Sequence, residues 1–184
     1  RSCPLIVAGY AGVTSQQVHV VHADDEGGAY GIIHHLLALG HRRVGLVGQL
    51  LTPADHARWS GCVRAFRDAG LECNPPLLAD GDSTEPSGYR AVAHLMQLPQ
   101  PPTAILAFSM LLVPGIMRWA REYDYRVPDA LSVAAFDDLA SRHVLEPGLT
   151  TVDLFPADVG RKAAALLLEA IEGGPTTAGE TIVP

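Results

Sequence analysis

Two periodicities alternate along this chain, and their alternation narrows the fold more than any other feature. Short apolar runs at residues 4–8, 44–47, 103–108 and 131–136 have the length of buried strands. Between them lie longer stretches whose apolar residues recur at helical spacing. Ala29, Ile32, Ile33, Leu36 and Leu37 share one face of a helix that starts at Asp24 or Asp25 and stops at Gly40. A carboxylate there can accept the free N–H groups of the first turn, and glycine can take the conformation that ends the last. Trp59, Cys62, Val63, Phe66 and Ala69 form a second stripe, ended by Gly70. Residues 87–98 form a third, with Val92, Leu95 and Met96 inward. Residues 157–172 form another, with Val159, Ala163, Leu166, Leu167, Ala170 and Ile171 inward. Residues 111–123 also read as helical, but Pro114 would cost about 3 kcal/mol in a helix interior. The expected start is therefore Leu112 or Val113, leaving Pro114 in the first turn. Weaker extended segments are expected at 17–22, 77–79, 150–153 and 181–183.

Strand, helix, strand, helix with short connections predicts an α/β fold: parallel sheets covered by helices on both faces. In such sheets ligands sit beyond the carboxyl ends of the strands. The loops after Val47, Ala79, Phe108 and Phe136 are where function is expected. The order of elements divides the chain into two lobes. Residues 1–41 are assigned to the first lobe, 42–148 to the second, 149–175 to a helical return to the first, and 176–184 to a terminal strand of the second.

Composition excludes several functions. Of 184 residues, 48% are hydrophobic and 18% charged, a globular balance. The formal net charge of −7 argues against this segment gripping a nucleic-acid backbone, which needs clustered Lys and Arg. No apolar stretch approaches the ~20 residues of a membrane span, and the first residues do not read as a signal peptide. Cys3, Cys62 and Cys73 are too few and too scattered for a disulfide framework or a zinc pattern, and read as reduced thiols of a cytoplasmic protein. His34 and His35 are adjacent and His19 and His22 fall on opposite sides of a strand, so no metal site is expected. Gly27 and Gly28 follow no phosphate-loop pattern and read as a tight strand-to-helix turn. No G-x-S-x-G elbow or Ser/His/Asp set points to an enzyme, and no cofactor is implied.

Several segments, in order, resemble the LacI/GalR family of bacterial transcription regulators. The stretch DDEGGAYGIIHHLLALGHRRVGLVG resembles the family's D-N-x-x-G helix followed by G-H-R-R and a strand. ARWSGCVRAFRDAGL resembles its R-x-x-G helix, and GDSTEPSGYRAVAHLM its G-D-x-x-x-x-S-G-Y segment. VPDALSVAAFDD resembles V-P-D-x-x-S-V-x-x-F-D-D, and EPGLTTV the P-x-L-T-T-V return. The resemblance implies a two-lobed, periplasmic-binding-protein-like fold with its first lobe incomplete, the C-terminal portion of a longer protein. It further implies a homodimer that senses a small-molecule effector, sugar or sugar-like, and reaches DNA only through an upstream helix-turn-helix domain. An extracytoplasmic solute-binding protein of the same fold is the alternative.

Arg58 is the first candidate for effector contact. It lies early in the helix after the 44–47 strand, and its planar fork suits hydroxyls, carboxylates or a purine edge. On residue pattern alone a solvated helix face is the better reading; the resemblance implies effector contact instead, since the family's matching arginine contacts effector. Asp137 ends the 131–136 strand and is the second candidate, a carboxylate able to accept paired hydrogen bonds; capping of the next turn suits Asp138 better. Ser109 stands where the family often has Asn, and Met110 replaces a usual acidic residue. Either Met110 packs between the lobes or the ligand is less polar than a simple sugar. Ser83 takes a place where some relatives carry an aromatic wall. Phe108, Trp59 or a first-lobe residue is left to supply one. His41, in GHRRV, is expected to make hydrogen bonds where the chain crosses between lobes.

Overall fold

Helix starts in this chain are set by local chemistry. In the computed structural model, which describes residues 4–9, 18–72, 77–137, 148–174 and 179–184, helix α1 (Asp25–Ala38) is capped by Asp24, whose carboxylate accepts the Gly27 N–H at 2.8 Å. Helix α2 (Pro53–Asp68) opens with a reciprocal cap. Thr52 Oγ1 accepts the Asp55 N–H at 3.2 Å, while Asp55 Oδ2 accepts the Thr52 N–H at 2.9 Å. Thr84 and Ser87 repeat the device for α3 (Glu85–Leu95). Helix α4 spans Val113–Glu122, with Pro114 in its first turn as expected, and a short 3-10 turn, Met110–Leu112, leads into it. Helix α5 (Pro156–Ile171) starts after Phe155, which has a positive φ of 45°.

The strands form two parallel sheets. Strands β1 (Leu5–Ala8) and β2 (Val18–Ala23) join β8 (Gly179–Val183) in the order β1-β2-β8. Strands β3 (Val44–Val47), β4 (Leu78–Ala79), β5 (Ala104–Ala107), β6 (Ser132–Phe136) and β7 (Thr150–Val152) make the larger sheet, in the order β4-β3-β5-β6-β7. Every residue of β3 and β5 is buried. The reason is that helices cover both faces and leave no solvent side for an alternating polar residue. On one face Ile33, Leu36, Cys62 and Phe66 of α1 and α2 pack against Leu46, Leu106 and Phe136. On the other, Val92, Leu95, Ile116 and Trp119 of α3 and α4 pack against Val47, Ile105 and Val133. The smaller sheet has a smaller core, in which Val21 packs with Val159 and Ala163 of α5.

The division of the chain between the two sheets differs from the expected one. Helix α1, assigned to the first lobe, packs with α2 over the five-stranded sheet. Its stripe is complementary to Phe66 and Leu46 and does not face the smaller sheet. The chain therefore crosses at Ala23–Asp24, well before Gly40. The segment β7, read as the return, pairs with β6 through Thr150↔Ala134, so the return falls after Val152. The terminal strand, expected in the second lobe, lies beside β2, with the Asp24 N–H donating to the Val183 carbonyl at 3.0 Å. Ala69 and Ile171 were expected inward but are exposed; each stands at the carboxyl end of its helix, Ala69 as the cap of α2 and Ile171 as the last residue of α5. Gly27 and Gly28 belong to the first turn of α1; a methyl on Gly28 would press on Val152 Cγ1 at 2.6 Å, so close packing explains that residue.

Candidate functional site

Both sheets direct their carboxyl ends toward one cleft of about 610 Å³. Its wall is built from residues at or just past the strand ends: Gly9 after β1, Asp25 after β2, Gly48 after β3, Ser83 beyond β4, Phe108 and Ser109 after β5, and Asp137 after β6. The first turns of α5 close it with Pro156, Val159 and Gly160. Arg58, Ser83, Phe108, Ser109 and Asp137, the five residues singled out from the sequence, thus all line a single concavity.

Arg58 is held from three directions. Its Nε donates to Asp25 Oδ1 at 2.7 Å, one Nη donates to the Phe108 carbonyl, and the guanidinium carbon lies 4.4 Å from the centre of the Phe136 ring. The two charged side chains are only 11% and 9% exposed, so a solvated helix face is ruled out for Arg58. Burial pushes the Asp25 carboxyl above the usual carboxylate range, against the pull of Arg58, and the nearby Asp137 charge adds to the push. Asp25 escaped the sequence reading except as one of two cap candidates; the cap proved to be Asp24. A signal was available. Asp25 occupies the second place of the D-N-x-x-G pattern, so a carboxylate stands where the pattern has a neutral amide.

Asp137 has φ +75°, a left-handed backbone that Asp and Asn adopt more readily than most side chains. Ser83 shares this trait with φ +58°. Ser109 Oγ accepts the Leu111 N–H at 3.3 Å, so it caps the 3-10 turn while facing the cleft. Phe108 is 2% exposed, and its ring meets that of Phe136 edge-on at 6.3 Å. It braces Arg58 through its carbonyl more than it offers a flat wall. Trp59 cannot supply that wall, since it borders a separate groove with Glu26, Arg64 and Arg67. Gln49, Thr52 and Asp55 also line the cleft and were missed. Asp138 lies outside the described residues.

Two expectations need correction. Met110 neither packs between the lobes nor lines the cleft; it is buried with Val47, Ala79 and Leu112 beneath α3 and α4. The 3-10 turn rotates it inward, toward the apolar face of the sheet. His41 does not sit at a crossing. Its ring nitrogens lie 2.8 Å from Thr103 Oγ1 and 3.0 Å from Ser132 Oγ, tying the α1–β3 connection to the amino ends of β5 and β6. Burial holds His41 below its usual range. His19 and His22, on opposite faces of β2, meet Thr181 and Glu180 of β8. Among the described residues no group of three or more His, Cys, Asp or Glu is placed to hold a metal ion.

Known proteins resemble this chain in both sequence and fold. The periplasmic binding protein-like domain family matches residues 33–184. The HTH-type transcriptional repressor CytR of Escherichia coli strain K12 is 31% identical over 184 residues, which is all of this chain and 54% of the repressor. The chain spans about half the length of the curated relatives it matches. A transcriptional regulator CelR–cellobiose complex superposes with a TM-score of 0.87 at 30% identity, covering 97% of this chain and 55% of the regulator. A LacI family transcriptional regulator from Enterococcus faecium with bound ribose superposes with a TM-score of 0.86 at 26% identity, covering 98% of this chain and 67% of that one. The chain belongs to the periplasmic binding protein-like domain family, in the form carried by LacI-type transcription regulators.

Proposed function

We propose that this chain is the effector-binding region of a cytoplasmic LacI-type transcription regulator, and that it binds a sugar or sugar-like molecule without catalysing a reaction. The observation that carries the reading is the convergence of Arg58, Ser83, Ser109 and Asp137 on a cleft of about 610 Å³ walled by both sheets. A volume of that order holds a small organic ligand. The relatives solved with cellobiose and with ribose support the ligand class. The full regulator acts as a homodimer and reaches DNA through a separate helix-turn-helix domain.

The physical link from ligand to DNA is the angle between lobes. Among the described residues the chain passes between the sheets at Ala23–Asp24 and again between Val152 and Pro156. A ligand touching Asp137 on one side and the start of α5 on the other favours one lobe arrangement by its differential affinity for the two. The test is a thermal-shift screen of sugars, nucleosides and small acids. A true ligand raises the unfolding midpoint with a concentration dependence set by its Kd, by about 2.7 kcal/mol of stabilisation at a hundredfold excess over Kd. No concentration-dependent shift across the screen would count against the reading.

A further inference from the structure

We propose that the cleft selects by charge: it takes an uncharged or protonated, donor-rich effector and rejects the phosphorylated form of the same compound, with Asp25 and Asp137 setting the preference. The proposal rests on the cleft being the effector site and specifies what it accepts.

The charged groups lining the cleft, among the described residues, are Asp25, Asp55, Asp137 and Arg58: three carboxylates and one guanidinium. The guanidinium is already committed to the Asp25 carboxylate, the Phe108 carbonyl and the Phe136 ring. Its charge is balanced by Asp25, so a phosphate would have to compete with that carboxylate for it. The Asp55 carboxylate is likewise committed, to the Thr52 N–H and to the Thr52 hydroxyl at 2.7 Å. Asp137 has no ion-pair partner among the described residues and faces the open volume. A group entering beside it meets an acceptor-only surface, which suits O–H, N–H or ammonium donors and repels a dianion.

The usual anion-binding element of such folds, a helix start with free N–H groups, is also blunted here. The α1 start is closed by Asp24 and the α2 start by Thr52 and Asp55. Helix α5 begins with Pro156, which has no N–H to offer. A phosphate in this cleft would meet three carboxylates against one already paired guanidinium among the described residues, and so would face net negative charge. A ligand bearing hydroxyls or an amine gains acceptors on two walls.

The experiment is isothermal calorimetry on the full regulator with matched pairs: ribose and ribose 5-phosphate, glucose and glucose 6-phosphate, cellobiose and its phosphate monoester, nucleosides and their 5′-monophosphates, with glucosamine added as the cationic member. The expected result is at least one uncharged or amine-bearing compound binding tenfold or more tightly than its phosphate ester, with the gap narrowed at least threefold in Asp25→Asn and in Asp137→Asn. A phosphate ester binding as tightly as its parent overturns the charge preference while leaving the effector reading intact. An unchanged gap in both variants overturns the assignment to Asp25 and Asp137. Absence of binding by every compound overturns the effector site itself, and this inference with it.

Discussion

Arg58 and Asp25 show how one pair can be both wall and brace. Each is about nine-tenths buried, and each satisfies the other. A buried ion pair adds little net stability, because desolvation offsets attraction, yet removing one partner strands the other charge in the interior. Arg58→Ala is therefore expected to lower the unfolding free energy by about 3–5 kcal/mol, and adding Asp25→Asn to recover part of that loss. Urea denaturation of the two single variants and the double closes the cycle; a loss under about 1 kcal/mol for Arg58→Ala would show the pair to be slack. The sign of the pH effect is set by burial. The folded-state Asp25 carboxyl titrates above its ordinary value of 3.8. In the window from 3.8 up to the raised value, the native protein keeps a proton that the unfolded chain has released, so this group's contribution to stability falls as pH rises. The stability of wild type relative to Asp25→Asn should thus decline through that window and level off above it. A rise would mean that attraction to Arg58 outweighs burial. The sequence made Arg58 and Asp137 legible because both sit in spaced motifs, Arg58 in the helix that follows β3 and Asp137 just past the end of β6. Asp25 was masked, despite its place in the D-N-x-x-G pattern, because a capping role explained one acidic residue at that helix start and two were present.

Element boundaries were legible wherever capping chemistry or continuous apolar runs fixed them. The acidic cap at the start of α1, the buried β3 and β5 runs, and Pro114 in a first turn all obey local rules. What was not legible was the partner of each apolar face. The α1 stripe is equally apolar whichever sheet it covers, and the 181–183 segment pairs with β2 through backbone groups that carry no sequence signature. Met110 belongs to the same class: an apolar residue beside a cleft reads as facing it until the 3-10 turn is known. Helix contacts carry their own test. Helices α1 and α2 touch closely at Gly61, where a methyl would collide with the Glu26 carbonyl oxygen and lie 2.8 Å from the Ala29 Cβ. Gly61→Ala should force the helices apart and cost about 1–3 kcal/mol. Gly31, on the exposed side of α1, has nothing within 4 Å, so Gly31→Ala should stabilise by about 0.5–1 kcal/mol through better helix propensity. Thermal denaturation of both variants checks the contrast, and equal effects would contradict the packing described.

At the scale of the whole molecule, two parallel sheets aim their strand ends at the same gap, and among the described residues the chain links them at Ala23–Asp24 and between Val152 and Pro156. The general plan, an α/β fold with a ligand beyond the strand ends, was readable from periodicity and motif order. The crossing points were not, since Gly40 looks like a domain border but is only the end of a helix, with φ +100°. The central claim is that this shared cleft holds the effector and that Asp137 contacts it. Asp137→Asn tests it most directly, because asparagine tolerates the same positive φ and keeps the shape while losing the charge and one acceptor. Calorimetric titration of wild type and Asp137→Asn with the compound found by thermal shift should show affinity reduced tenfold or more, with the unfolding midpoint of the free protein nearly unchanged. Equal affinity in the two proteins would contradict the account.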